Sequence, residues 1–121
     1  MEITTARDLL APNQSAIVFF THGQDLHIDE TGEGETGSWM LNYELVKKVD
    51  KVIVYLRDDT LKTNHIYLAD FHSLRKGNRS RRWIVRFINT QELGTTNVHW
   101  LEFGNGTTAP VNYVENAGVS T

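Results

Sequence analysis

A cluster of cationic side chains is the feature of this sequence best suited to chemistry. Five bases fall within residues 75–82, namely Arg75, Lys76, Arg79, Arg81 and Arg82. Both residue types bind phosphate groups, and each such contact with a nucleic acid releases counterions. The spacing therefore predicts a phosphate-binding turn between two strands. A solvated turn that protects the edge of a sheet would have the same composition.

The residues around this turn extend the prediction. Gly77 and Asn78 lie at its tip, where a hairpin requires positive φ. Arg86 follows on the next predicted strand and should share one face with Arg82, with Ile84 between them. Arg86 is therefore added to the predicted phosphate contacts.

The charge of the whole chain hides this cluster. The 121 residues carry 12 bases and 15 acids, a formal net charge of −3. Residues 1–60 hold eleven acids and five bases, whereas residues 61–121 hold four acids and seven bases. Exposed charges are screened beyond about 8–10 Å at physiological salt, so a local positive excess can bind a polyanion on an acidic protein. The net charge therefore does not exclude a nucleic acid as a partner, but binding is expected on one face only.

Aromatic residues near a glycine-rich stretch suit the stacking of a base. Trp39 follows the stretch 31–38 and precedes Asn42 and Tyr43, so a pocket is predicted here. The alternative is a structural role, since small β-proteins bury most of their aromatic side chains.

Other kinds of chemistry have little support in the sequence. The chain has no cysteine, which excludes disulfides, thiolate metal sites and cysteine nucleophiles. Acids and histidines gather at 22–30, and His27 and Asp29 could share a metal, but the spacing specifies no third ligand. No nucleophile elbow and no phosphate-binding glycine loop is present. We expect no enzyme activity, no metal and no cofactor.

Length and hydropathy predict one domain, 1–121, in which residues 116–121 form a tail or the stub of a linker. No apolar run approaches the ~20 residues that span a bilayer. The first five residues do not have the pattern of a signal peptide. We therefore expect a cytoplasmic protein with no membrane partner.

The elements that must position these residues are mostly strands. Apolar runs predict strands at 16–20, 51–57, 65–71, 83–88, 99–103 and 111–114. Short helices are predicted at 4–11 and 42–49, and a mobile polar loop at 31–38. The predicted fold class is mainly β (α+β): a small antiparallel β-barrel or curled sheet with one or two short helices.

One stretch of the sequence, which covers several of these elements, resembles a known family. Residues 38–57 read SWMLNYELVKKVDKVIVYLR, and HIYLADF follows at 65–71. A tryptophan, an Asn-Tyr pair, a helical turn and a Lys-Val-Asp-Lys turn into an apolar strand resemble the PUA-like superfamily, especially its EVE and YTH-related branch. The similarity covers about residues 38–73, less than a third of the chain. Val49 stands where the family usually has a glycine.

The resemblance implies a fold, a function and a site. Such domains are small β-barrels that read modified or flipped bases in RNA or DNA. In bacteria, many are sensors of modification-dependent restriction systems. Carried over, Trp39 would be a wall of the base pocket and Asn42 a contact to the base edge. Tyr43 and Tyr55 would flank the base, or Tyr55 would belong to the core.

We therefore expect a nucleic-acid-binding domain, for DNA or RNA, that is fused to or associated with an effector protein. The alternative is a protein-interaction or regulatory module without nucleic acid, whose basic turn meets an acidic partner.

Overall fold

A computed structural model describes residues 3–77, 81–104, 106 and 108–117. A 3₁₀ turn, Arg7–Leu9, comes first in this part of the chain. The elements that follow are β1 (Ser15–Thr21), β2 (Leu26–Ile28), β3 (Gly34–Met40), α1 (Tyr43–Val46), β4 (Lys51–Asp58), β5 (Thr63–Lys76), β6 (Arg82–Thr96), α2 (Trp100–Phe103) and β7 (Val111–Glu115). The protein is mainly β, as predicted. No helix among the described residues has the length and apolar composition needed to cross a membrane.

The strands form one mixed sheet in the order β2-β3-β6-β5-β4-β1-β7. Neighbours are antiparallel except β1 and β4, which run parallel from the pair Ala16–Lys51 to the pair Thr21–Leu56. Within the described residues β2 and β7 are the two edges, so the sheet remains open. Of the two predicted architectures, the curled sheet is therefore the one that forms, and the barrel is not.

One apolar core, which we call the β6 core, shows how the sheet curls. Phe19 of β1 and Val54 of β4 pack there with Val46 of α1 and Phe87 of β6. The Phe19 ring lies 5.1 Å from the ring of Trp39 on β3, although three strands separate β1 from β3 in the sheet order. A flat sheet would hold these strands roughly 19 Å apart. The β3–β6 half therefore folds over the β1–β4 half.

A second core, which we call the α2 core, covers the opposite face of the same strands. Val18 and Tyr55 pack there with Trp100 and Phe103 of α2 and with Ile3 near the N-terminus. Successive residues of a strand point to opposite faces. The central strands β1 and β4 are thus buried on both sides, which explains their continuous apolar runs.

Three element predictions are wrong. Residues 99–103 form the helical turn α2 and not a strand, because the His99 Nδ1 atom accepts a hydrogen bond from the Leu101 N–H at 3.2 Å and caps the turn. The helix predicted at 4–11 is only the 3₁₀ turn. Most of the loop predicted at 31–38 belongs to β3. A Cβ atom at Gly34 would lie 2.4 Å from the Phe87 ring, so this glycine permits close strand packing.

The strands β5 and β6 form the longest pair, 14 and 15 residues, and the basic turn joins them. Their register shifts at three points, between Ile66 and Tyr67, between Leu68 and Asp70, and between Phe71 and Ser73. Such bulges bend a strand and increase its twist. The bulges allow one long hairpin to bend and to pair with strands in both halves of the curled sheet.

Candidate nucleic-acid interface

Trp39 lies half-buried on β3 and belongs mainly to the β6 core. Its ring packs against Phe19, and its Nε1–H donates a hydrogen bond to the Thr36 Oγ1 atom at 3.1 Å. Thr36 is itself fully buried. The ring predicted to form the wall of a base pocket thus has a structural role.

The next two predicted residues, Asn42 and Tyr43, begin α1. The Asn42 Oδ1 atom accepts a hydrogen bond from the Leu45 N–H at 3.2 Å, so this side chain caps the helical turn. Tyr43 is 43% exposed, and its ring lies 5.0 Å from the ring of Trp83. The Lys47 ammonium lies 5.5 Å from the centre of the Tyr43 ring. A hydrogen bond to the Glu44 carboxylate raises the pKa of Lys47 and keeps it charged.

Tyr55 is not near these residues, and of the two places predicted for it, beside the base or in the core, it takes the core. It lies in the α2 core, on the opposite face of the sheet, and is 3% exposed. Its hydroxyl donates a hydrogen bond to the Val98 carbonyl at 2.7 Å, and burial raises its pKa. The four predicted base-pocket residues therefore do not form one pocket.

The basic turn begins with an ion pair. The Arg75 Nη2 atom lies 3.2 Å from the Glu35 Oε2 atom, so the charge of Arg75 is largely offset. Lys76 is exposed and lies directly across the strand pair from Trp83. Directly opposed residues have Cβ atoms about 5 Å apart, so Lys76 and Trp83 share a face. Arg79, another predicted phosphate contact, lies outside the described residues.

The tip of the turn differs from the prediction. Gly77 does not have positive φ, Asn78 lies outside the described residues, and Arg81, just beyond that gap, has a φ of 66°. A Cβ atom at Gly77 would lie 2.4 Å from the Ser38 Oγ atom and 3.2 Å from the Arg82 carbonyl oxygen, so close packing and not the backbone angle favours glycine here. Arg81 itself is exposed.

The remaining two predicted phosphate contacts lie on the other face of β6. Arg82 donates from Nη1 to the Ser38 carbonyl at 3.2 Å, and Arg86 is exposed opposite Glu35 of β3. Arg82, Ile84 and Glu35 line a cavity of about 420 Å³. The regular register from 82 to 86 places Arg82, Ile84 and Arg86 on one face and Trp83 on the opposite one.

The structure thus divides the predicted cations between two faces and brings one subset to an aromatic pair. Tyr43, Trp83, Lys47 and Lys76 form this combination. Together with Arg81, two residues before Trp83 in the chain, we call them the aromatic–basic surface. Among the described residues, Lys76 and Arg81 have no ion-pair partner. The sequence singled out Tyr43 and the turn, but it did not show that Trp83 joins them.

The histidines and acids of residues 22–30 do not gather into a metal site. Among the described residues, no group of three or more potential ligands lies close enough to hold an ion. His22 pairs instead with Asp59, whose Oδ2 atom is 2.8 Å from the His22 Nδ1 atom. Asp29 accepts hydrogen bonds from Thr31, which lower its pKa and show that it stabilises a turn.

One feature had no recognisable signal in the sequence. A cleft of about 560 Å³ opens at the C-terminal ends of β1 and β4, far from the basic turn along β5. Its walls come from segments that are distant in sequence. Only the parallel pairing of β1 and β4, which no local pattern indicates, brings them together.

Comparisons with protein-family models, with curated proteins and with solved structures find no match. The similarity to the PUA-like superfamily therefore stays a prediction.

Proposed function

We propose that the chain is a nucleic-acid-binding domain that binds a single strand of DNA or RNA across the aromatic–basic surface. The observation that carries the proposal is the contact between the half-exposed Tyr43 ring and the Trp83 ring, with Lys76 directly opposite Trp83 and Arg81 two residues before it in the chain. Aromatic faces bordered by cations are the usual means by which proteins hold single-stranded nucleic acid. The bases would stack on Tyr43 while the cations contact phosphates.

The expected energies agree with this division of roles. A base stacked on an aromatic side chain contributes about 1–3 kcal/mol and tolerates any sequence. Each phosphate contact adds a term that weakens as salt rises. The net charge of −3 does not by itself oppose binding, because exposed charges far from this surface are screened beyond about 8–10 Å at physiological salt.

Recognition of a modified base, as the resemblance implies, remains a prediction, as does association with an effector protein. The same holds for a cytoplasmic location, with which the absence of cysteine is compatible. Trp39 packs in the β6 core and lies directly opposite Trp83 on the neighbouring strand. Its proposed role is therefore to support Trp83 and not to contact a base.

The test is the binding of labelled DNA and RNA strands of about 12 nucleotides, measured by fluorescence anisotropy. Measurements at about 50 and 200 mM salt separate the electrostatic contribution from stacking. We expect binding that weakens with salt, that is reduced by Tyr43→Ala, and that is retained by Tyr43→Phe. The absence of binding to every strand at low salt would contradict the proposal.

A second function is favoured by two exposed apolar residues, Met40 opposite Arg82 at the end of β3 and Leu45 on α1. Met40 is 61% exposed and Leu45 is 46% exposed, at and near α1. Exposed apolar side chains next to cations also suit an acidic protein partner. In that case single-stranded nucleic acid would not bind, and a protein partner would. Met40→Asp should reduce the affinity for that partner. Leu61→Asp, a matched change at another exposed position, should leave the affinity unchanged.

A further inference from the structure

The cleft at the C-terminal ends of β1 and β4 has the composition of a ligand site. Phe20 and Tyr55 stack at 5.4 Å with an interplanar angle of 29°, and Trp100 lies 5.4 Å from Phe20. These rings are part of the cleft lining. Its volume of about 560 Å³ lies within the range of small-molecule pockets, roughly 300–1,000 Å³.

The polar atoms of the aromatic walls are already satisfied. The Tyr55 hydroxyl donates to the Val98 carbonyl at 2.7 Å, and the Trp100 Nε1–H donates to the Ala109 carbonyl at 3.0 Å. Tyr55 and Trp100 are buried, at 3% and 6% exposure, so a ligand mainly meets the partly exposed Phe20 ring, which these two rings hold in place. A planar ring can stack on such an apolar surface.

The rim adds hydrogen-bonding groups whose orientation is held by neighbours. The Arg57 Nη1 atom donates to Asn64 Oδ1 at 3.0 Å, and Asn64 in turn donates to the Thr96 carbonyl at 2.9 Å. Arg57 Nε lies 3.6 Å from Asp59 Oδ1. The guanidinium is thus positioned, and it retains further N–H groups for a ligand.

Two histidines of the cleft have opposite hydrogen-bonding roles. The His22 Nδ1 atom lies 2.8 Å from the Asp59 carboxylate, so Nδ1 donates to it, and in that tautomer of the uncharged ring Nε2 is an acceptor. The His99 Nδ1 atom accepts from the Leu101 N–H, so its Nε2 carries the proton and donates. The cleft offers an aromatic wall and, at its rim, both hydrogen-bond donors and acceptors.

We infer that this cleft binds a planar nitrogen heterocycle the size of a nucleobase, as a free small molecule. Ring nitrogens and exocyclic oxygens of such compounds accept from Arg57 and His99, and an N–H donates to His22. This site is separate from the aromatic–basic surface. Asn64, at the start of β5, lines the cleft, whereas Lys76, the last residue of β5, belongs to the surface.

The experiment is a titration of the full chain with guanosine, adenosine and cytidine, followed by the indole N–H signals in ¹⁵N NMR spectra. The chain has three tryptophans, of which only Trp100 lines the cleft. We expect a saturable shift of the Trp100 signal by at least one nucleoside, with Trp83 unchanged. Ribose, which has no planar nitrogen heterocycle, should shift neither signal.

Two variants test the residues. His99→Ser removes the imidazole but keeps a residue able to cap α2. This variant should weaken the binding of the nucleoside about three- to tenfold, the usual effect of losing one hydrogen bond. Asn97→Ala, at an exposed amide of the cleft, should do the same, while Gln91→Ala, an exposed amide outside it, should not.

The outcomes separate this site from the strand-binding proposal. If no nucleoside shifts Trp100 while strands still bind, the cleft assignment is wrong and the proposed function stands. If Trp100 responds to an oligonucleotide but to no free nucleoside, a base within a strand is the ligand, and the assignment to a free small molecule is overturned. If nucleosides bind and strands do not, the cleft assignment stands alone.

Discussion

The Tyr43 ring lies 5.0 Å from the Trp83 ring, with an angle of 37° between their planes. This contact joins α1 to the first residues of β6, directly after the basic turn. It places a half-exposed aromatic face beside exposed cations, which is the combination that holds a nucleic-acid strand. The following predictions test this arrangement and the packing that supports it.

Substitution of Tyr43 should weaken strand binding without unfolding the protein. Because the ring is 43% exposed, Tyr43→Ala removes mainly a stacking face. We expect a loss of about 1–3 kcal/mol in binding free energy, measured by fluorescence anisotropy. Tyr43→Phe keeps the ring and should bind nearly as the parent does. Equal losses for both variants would contradict a stacking role.

Neutralising the turn should change the salt dependence of binding. For the Lys76→Gln, Arg81→Gln double variant, we expect a slope of log K against log salt smaller by roughly 0.7 for each phosphate that is no longer neutralised. Arg7→Gln, at an exposed arginine of the N-terminal 3₁₀ turn, is the matched control. An unchanged slope in the double variant would show that these cations do not contact phosphates.

Trp39 should affect stability more than binding. Its ring packs against Phe19, and its Nε1–H is bonded to Thr36. Trp39→Ala should lower the free energy of unfolding by about 2–4 kcal/mol, near the range of large-to-small core changes. Trp39→Phe should cost about 1 kcal/mol, the usual value of one hydrogen bond. Urea unfolding measures both. Unchanged stability with lost binding would instead place Trp39 in a binding pocket.

The ion pair at Asp70 should make stability depend on pH. The Asn89 Nδ2 atom donates to the Asp70 carboxylate at 2.8 Å, and Lys51 contacts its other oxygen. Both hydrogen bonds lower the pKa of Asp70 in the folded state, with that of Asn89 the larger cause. A lowered folded pKa stabilises the fold above the unfolded value of about 4 and loses this effect as pH falls through the folded value.

Asp70→Asn should therefore reduce the free energy of unfolding at neutral pH by about 0.5–1 kcal/mol, as for a partly exposed pair. The difference from the parent should shrink between about pH 5 and about pH 3. Urea unfolding at several pH values measures it. A difference that stays constant over this range would show that Asp70 is not held ionised by its neighbours.

The mainly β class and the basic turn between two strands could be predicted from local patterns. The alternation at 65–71 and the cationic run at 75–82 need no knowledge of distant residues. The parallel pairing of β1 and β4 is different, because it joins segments more than thirty residues apart. The choice between a barrel and a curled sheet, and the cleft at the ends of these strands, therefore could not be predicted from local patterns.

The separation of Trp39 from Tyr55 has the same cause. Each could be assigned to a face of its own strand, but the curl of the sheet decides which faces meet. The strand predicted at 99–103 is wrong for a local reason. The aromatic residues of this stretch suit a strand, but His99 caps a helical turn there. The glycines of β3 suggested a loop, yet Gly34 allows the Phe87 ring to pack closely.

The most direct test of strand binding is the ¹⁵N NMR spectrum of the three tryptophan indole N–H groups during titration with a short oligonucleotide. The account predicts a salt-sensitive shift of the Trp83 signal, which the Tyr43→Ala variant should abolish. A Trp83 signal that does not move while the strand binds elsewhere, or no response to any strand at low salt, would contradict it.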